Sequence, residues 1–111
     1  MGFYSGAQHV RVVRIDDENT VTVRRLSFGE TQDVIGKSTR LDIVTQEGTL
    51  DFAANQLLKM EMAIVGWDGP GFEGRKPTRE NIAALPVTIG QIISKAVEEI
   101  NANPSEDERK N

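Results

Sequence analysis

The feature that most constrains the fold of this chain is a one-sided apolar stripe near its C-terminus. Between positions 89 and 100 the apolar residues recur at spacings of three and four, and these are Ile89, Ile92, Ile93, Ala96, Val97 and Ile100. The residues predicted to face water are Gln91, Ser94, Lys95, Glu98 and Glu99. Because an α-helix has about 3.6 residues per turn, this spacing places the apolar side chains on one face. The pattern therefore predicts an amphipathic helix with one apolar face and one face toward water.

A second helical pattern lies upstream and is predicted to begin after Thr49, whose hydroxyl can cap it. Its apolar residues recur at the same spacing, with only Glu61 interrupting the stripe, and these are Leu50, Ala53, Ala54, Leu57, Leu58, Ile64 and Val65. Either Gly66, or Gly69 beyond Trp67, is predicted to end this helix in a left-handed cap that needs no Cβ.

Between the two helical patterns lies a loop over positions 68–77 that is rich in glycine and proline. This composition predicts a non-helical connection. Thr78 then has the side chain to cap a short helical turn from Arg79 to Leu85, and Pro86 marks the end of that turn.

The N-terminal part of the chain reads as a β-hairpin. Positions 9–15 and 20–26 are rich in Val, Ile, Thr and Arg in rough alternation, and the polar residues 16–19 between them supply turn chemistry. In the first segment Val10 and Val12 share one face, whereas Val13 and Ile15 share the other. The alternation alone does not decide which face is buried.

A short helix is predicted after the hairpin. Ser27 and Glu30 have the spacing of a capping box, in which each side chain accepts a hydrogen bond from the other residue's backbone amide. The helix is expected over Thr31 to Lys37, and Gly36 weakens it. Positions 40–46 fit either a third strand or irregular structure.

Length and composition favour a single α+β domain. The 111 residues are enough for one core, which we expect over 9–101, with a flexible N-terminus at 1–8 and a disordered polar tail at 102–111. There is no cysteine, so packing must hold the fold. No segment reaches the roughly 18 apolar residues that span a bilayer. We therefore expect a soluble cytoplasmic protein.

The residues that could carry chemistry form no catalytic set. His9, the only histidine, has no serine and carboxylate partners that the sequence places near it. The acidic run 16–19 lacks the alternating ligand spacing of a calcium loop. The glycine-rich loop lacks the Gly-Lys-Ser/Thr ending of a phosphate-binding loop and does not follow a predicted strand. We expect no enzyme activity, no metal and no cofactor.

Four arginines of the hairpin form the main basic cluster, and they are Arg11, Arg14, Arg24 and Arg25. Nucleic-acid binding through this cluster is the rival interpretation. The chain as a whole carries a net charge of −4, which opposes approach to phosphate. Arginines that pair across a hairpin explain the cluster without a nucleic acid.

One order of motifs points to a family. The apolar segment Met62-Ala63-Ile64-Val65-Gly66-Trp67 leads into Asp68-Gly69-Pro70-Gly71-Phe72, and Pro77-Thr78-Arg79-Glu80-Asn81-Ile82 and Leu85-Pro86 precede the last amphipathic helix. This layout resembles the tail assembly chaperones of long-tailed bacteriophages. The resemblance covers roughly residues 9–101 and is strongest over 57–100. The long glycine-rich loop and the arginine-rich hairpin depart from the simplest family pattern.

The resemblance implies a non-catalytic protein that binds the tape measure protein and tail tube subunits during tail assembly in the host cell cytoplasm. The predicted protein-binding residues are Trp67, Phe72, Ile89, Ile93 and Val97, in the loop and on the last helix. Self-association into a homo-oligomer is expected through the same helices. The alternatives are a minor structural protein of the tail or head–tail junction, and a host regulatory or adaptor domain.

Overall fold

The computed structural model describes residues 9–41 and 48–102. The elements in chain order are β1 (Val10–Arg14), β2 (Thr20–Arg24), α1 (Phe28–Ser38), β3 (Thr39–Leu41), β4 (Gly48–Leu50), α2 (Phe52–Ala63), β5 (Ile64–Asp68), a 3₁₀ turn (Pro70–Phe72), α3 (Arg79–Ala83) and α4 (Val87–Ala102). The predicted α+β class is confirmed. The predicted flexible N-terminus and most of the predicted disordered tail lie outside the described residues.

The main sheet has three antiparallel strands in the order β1-β2-β5, with β2 at its centre. The hairpin is as predicted, although β1 is one residue shorter at each end than the 9–15 segment. The structure also settles which face is buried. Val21 and Val23 of β2 are fully buried and Val13 is half-buried, whereas Val10 and Val12 lie exposed on the other face.

Strand β5 corrects the predicted extent of the second helix. That helix ends at Ala63, and the next residue already begins a strand, so neither Gly66 nor Gly69 caps it. In β5, Ile64 pairs with Val23 and Trp67 pairs with Val21. β-Branched Ile64 and Val65 suit a strand as well as a helical stripe, and pairing to a buried central strand decides between them. Trp67 therefore lies in a strand and not at a helix end.

The start of α2 also differs from the prediction. The capping residue is Asp51, whose Oδ1 accepts a hydrogen bond from the amide of Ala54 at 3.1 Å. Thr49 belongs instead to β4, which pairs with β3. The third strand considered over 40–46 is thus present as far as Leu41, and positions 42–47 lie outside the described residues.

The predicted capping box is confirmed at the start of α1. The amide of Glu30 donates to Ser27 Oγ at 3.2 Å, and the amide of Ser27 donates to Glu30 Oε1 at 3.0 Å. Because the box fixes Ser27 as the cap, the helix begins at Phe28, three residues before the predicted start. The predicted Thr78 cap is confirmed as well, since Thr78 Oγ1 accepts from the amide of Asn81.

The predicted amphipathic helix α4 is present, and it contributes more buried apolar residues to the core than any other described element. Four stripe residues are buried, namely Ile93, Ala96, Val97 and Ile100, and they join the buried side chains of β2, α2 and β5. Ser94 is the exception among the residues expected to face water. It is buried, and its Oγ accepts a hydrogen bond from Gln56 Nε2 at 2.7 Å. Among the described residues, no helix is long and apolar enough to cross a membrane.

Candidate protein-binding surface

The two aromatic residues proposed as partner anchors contact each other. The rings of Trp67 and Phe72 stack with their centroids 4.4 Å apart and their planes 7° from parallel. Phe72 is 7% exposed and Trp67 is half-buried. Trp67 Nε1 also donates to the backbone oxygen of Arg75. The pair therefore closes the glycine-rich loop back onto β5.

The loop is also attached to the β1–β2 turn through Asn19. The amide of Gly71 donates to Asn19 Oδ1 at 2.8 Å. Gly69 has φ +129°, and a Cβ built there would lie 2.2 Å from Asn19 Oδ1 and 2.4 Å from the backbone oxygen of Glu18. Only glycine fits this conformation and this close approach. The hairpin turn and the loop thus form one joined end of the sheet.

Asp16 organises the other side of the same turn. Its Oδ1 accepts hydrogen bonds from the amides of Glu18 and Asn19, each at 2.9 Å, and from Asn19 Nδ2 at 2.8 Å. These donors hold the pKa of Asp16 below its ordinary value, with the Glu18 amide the largest cause. Asp16 therefore fixes the side chain of Asn19, which in turn holds the loop.

The alternatives of a metal site and a phosphate site receive no support at this end of the sheet. No group of three or more metal-ligating side chains occurs within 9–41 and 48–102. The loop does follow a strand, β5, contrary to the sequence prediction. However, its amides already donate within the protein, since Gly71 bonds Asn19, Phe72 bonds Gly69 and Glu73 bonds Pro70. Those amides are not free to cradle an anion.

The four arginines of the basic cluster each contact a different group of the protein. Arg11 Nη1 lies 3.5 Å from Glu99 Oε2, and Arg14 Nη2 lies 2.8 Å from Asp17 Oδ1. Arg24 donates to both carboxylate oxygens of Glu30, at 2.8 and 2.6 Å. Arg25 Nε donates to the backbone oxygen of Ile100 at 3.1 Å, at the end of α4. Each of the four arginines thus has a partner within the protein, and the side chains of Arg11 and Arg14 remain more than half exposed.

The bidentate pair of Arg24 and Glu30 has an electrostatic consequence. Hydrogen bonding from Arg24, followed by that from the Ser27 amide, lowers the pKa of Glu30 to about 2. The same contact raises the pKa of Arg24. Both side chains keep about a third of their surface exposed, so the pair is partly screened by water. It ties the end of β2 to the first turn of α1.

The five predicted binding residues do not share one exposed surface. Phe72, Ile93 and Val97 are only 7%, 0% and 1% exposed, so the prediction that these three form an accessible surface is wrong. The reason is that the apolar face of α4, with Ile93 and Val97, packs on β2 and α2, while Phe72 stacks on Trp67. Ile89 and Trp67 are half-buried and pack against the same core. Only these two keep accessible surface for a partner.

Within the part of the chain whose burial the structure describes, the large apolar side chains that are exposed lie elsewhere, and they are Val10, Val12, Phe28, Ile35, Phe52, Val65 and Val87. Phe28 and Ile35 stand seven residues apart on α1 and therefore share one helix face, which we call the α1 face. They are 69% and 42% exposed, while Val34 of the same helix is buried. The sequence contains only part of the signal. Val34 and Ile35 are adjacent and point to different sides of a helix, but the sequence does not decide which of them is exposed.

The comparisons with known proteins are negative. No family model matches the chain, and no curated protein and no solved structure matches it.

Proposed function

We propose that this chain is a non-catalytic tail assembly chaperone of a long-tailed bacteriophage, which binds the tape measure protein and tail tube subunits during assembly. The observation that supports the proposal is the order of motifs over 57–100. An apolar segment reaches Trp67, a glycine- and proline-rich loop follows, and Thr78 and Leu85-Pro86 precede the last amphipathic helix. The host cell cytoplasm is where such assembly takes place.

The α1 face is the surface we assign to the tape measure protein. A long tape measure helix exposes an apolar stripe that aggregates when uncovered, and an exposed aromatic and aliphatic pair on a helix can cover it. Phe28 and Ile35 have this chemistry, and Phe52 and Val87 add exposed apolar side chains at the starts of α2 and α4. Ile89 and Trp67 remain secondary candidates because they are half-buried.

The binding surface can be tested by co-expressing the chain with fragments of the tape measure protein of the same phage. We expect the double substitution Phe28→Ser and Ile35→Ser to lower the soluble yield of the fragments several-fold. Asp33→Ser, at an exposed polar position on a different side of the same helix, is the matched control and should leave the yield unchanged. If the folded double variant still keeps the fragments soluble, the α1 face is not the binding surface.

The function itself can be tested by immunoblotting infected cells and purified virions with antibody against the chain. A chaperone should be present in the cells and absent from the particles. Presence in the particles would instead establish the alternative, a minor structural protein of the tail or head–tail junction. A wild-type chain that fails to solubilise any tape measure fragment would also contradict the chaperone proposal.

A further inference from the structure

Among the described strands, β1 lies at the edge of the sheet, and one row of its backbone groups faces no other described strand. His9 accepts from the amide of Arg25, and the amide of Ile15 donates to Asn19, each at 2.9 Å. The backbone groups of odd-numbered residues therefore point toward β2. Since direction alternates along a strand, the N–H and C=O groups of Val10, Val12 and Arg14 point outward. Within the described residues, no backbone hydrogen bond to these groups is found.

The two edges of the sheet are not equivalent. β1 pairs with β2 through five consecutive residues in unbroken register, whereas the pairing of β5 is interrupted by a shift between Thr22 and Val23. Such irregularities bend an edge strand and discourage further pairing. β1 contains no proline, glycine or lysine, and its side chains include the exposed Val10 and Val12, at 52% and 65%. β1 is thus the edge suited to accept another strand.

We propose that β1 pairs antiparallel with β1 of a second copy of this chain, with the two-fold axis passing at Val12. Val12 then faces Val12 of the other copy, and Val10 faces Arg14. All three outward-pointing residues of each copy are used, which gives about six N–H···O hydrogen bonds across the interface. The two three-stranded sheets become one continuous sheet. This pairing does not depend on the proposed function.

The side chains of this register are complementary. The two Val12 side chains contact each other, and the aliphatic stem of Arg14 covers Val10. The charge of Arg14 is balanced by Asp17, 2.8 Å away within its own chain. A two-fold axis at Arg14 or at Arg11 would set two arginines directly opposite each other, which is unfavourable. Like-charge repulsion thus favours the axis at Val12 over those two registers.

Cysteine substitution tests the register directly, because the chain has no cysteine of its own. In a hydrogen-bonded antiparallel pair the Cα atoms are about 5.5 Å apart, within the range of a disulfide. We expect Val12→Cys to form a covalent dimer on oxidation. Val10→Cys is the matched control, equally placed on the exposed face. In the proposed dimer the two side chains at position 10, one from each copy, lie four residues apart along the strands, or roughly 13 Å, so this variant should not crosslink.

A mixture of Val10→Cys and Arg14→Cys chains should yield the covalent heterodimer, since these positions face each other in the proposed register. Equal crosslinking of Val10→Cys and Val12→Cys would overturn the register. The absence of any Val12→Cys dimer would overturn the pairing.

Sedimentation velocity of the full chain gives an independent test without cysteine. We expect a concentration-dependent dimer for the wild type. Val12→Pro should be monomeric, because proline removes an outward N–H at the two-fold axis while the bonds to β2 remain. Val12→Ala, which keeps the N–H, should remain a dimer. A monomeric wild type, or a Val12→Pro variant that still dimerises fully, would contradict the proposal.

Discussion

At the scale of single residues, one end of the sheet depends on a chain of specific contacts. Asp16 positions Asn19, Asn19 accepts from the amide of Gly71, and the loop is closed by the stacking of Trp67 on Phe72. These contacts join a hairpin turn to a loop more than fifty positions away, and the close approach of the two segments leaves no room for a Cβ at Gly69.

Gly69→Ala should destabilise the protein by about 2–4 kcal/mol, because alanine is disfavoured at φ +129° and its Cβ would collide with Asn19. Gly74→Ala is the control. Gly74 also has a positive φ, +72°, but nothing lies within 4 Å of its Cβ position, so we expect about 1–2 kcal/mol. Urea unfolding followed by the fluorescence of the single tryptophan measures both. Equal losses would show that the contact with Asn19 contributes nothing.

Glu30→Gln should cost about 1 kcal/mol at pH 7, because it weakens both the capping box and the pair with Arg24. The pKa of Glu30 is lowered to about 2 in the folded state, so its stabilising effect is present above the ordinary pKa of 4.5. As pH falls from about 5 toward 2 the unfolded chain binds the proton more readily, and that effect is lost.

The difference in unfolding free energy between the wild type and Glu30→Gln should therefore shrink steadily across this pH range. Urea unfolding curves of both proteins at pH 7, 4 and 2.5 give this free-energy difference at three pH values. Asp16 is present in both proteins, so its own titration cancels in the difference. A difference that stays constant down to pH 2.5 would show that Glu30 does not have a lowered pKa.

At the scale of elements, the C-terminal end of α4 is attached to the end of β2 by two hydrogen bonds. Arg25 donates to the carbonyl of Ile100, and the amide of Leu26 donates to Asn101 Oδ1 at 2.7 Å. Asn101 Nδ2 also donates to the carbonyl of Val97. The carbonyl of Ile100 in the last turn of the helix and the backbone amide of Leu26, two residues after β2, thus both have partners.

Asn101→Ala should destabilise the protein by about 1–2 kcal/mol, because the partly buried amide of Leu26 loses its acceptor. Gln91→Ala, at an exposed position of the same helix, should change stability by less than about 0.5 kcal/mol. Denaturant unfolding of the two variants separates the loss of the hydrogen bond to Leu26 from the effect of truncating any side chain on this helix. Similar stability for both would mean that the attachment contributes little to the fold.

The sequence predicted the elements whose signal is local. The capping box at Ser27, the Thr78 cap and the stripe of α4 depend on near neighbours, and all three are confirmed. The strand at Ile64 was missed because its pairing with β2 joins positions about forty residues apart. Local periodicity could not distinguish this segment from the helix before it.

The site was less predictable than the fold. A stripe at helical spacing indicates which residues share a face, but it does not say whether that face meets the core or a partner. Ile93 and Val97 were expected at a binding surface, and the structure places them in the core. Asn19 gave no signal at all, since its role requires the loop at Gly71 to lie against the hairpin turn.

At the scale of the whole molecule, the core and the apolar surface are separate sets of residues. The core forms where α4 packs on β2 and α2, and the exposed large apolar side chains lie on α1, on β1, on β5 and at helix starts. Truncating an apolar side chain should therefore affect different properties in the core and on the apolar surface. Core substitutions should reduce stability, whereas surface substitutions should alter association.

Ile93→Ala should cost about 2–5 kcal/mol, because Ile93 is fully buried and its truncation leaves a cavity. For a domain of this size that is a large share of a total stability of about 5–15 kcal/mol. Phe52→Ala removes a larger side chain at an exposed position, so we expect it to change stability by less than about 0.5 kcal/mol.

Urea unfolding of the two variants under identical conditions makes the comparison, with the slope of the transition showing whether cooperativity is kept. Because Phe52 has the larger apolar area, a stability loss that followed side-chain size alone would rank it first. From the structure we expect the smaller stability loss for Phe52→Ala, because Phe52 is exposed and Ile93 is buried. The reverse order would mean that Phe52 is covered in the folded protein, and its assignment to the exposed apolar surface would have to be withdrawn.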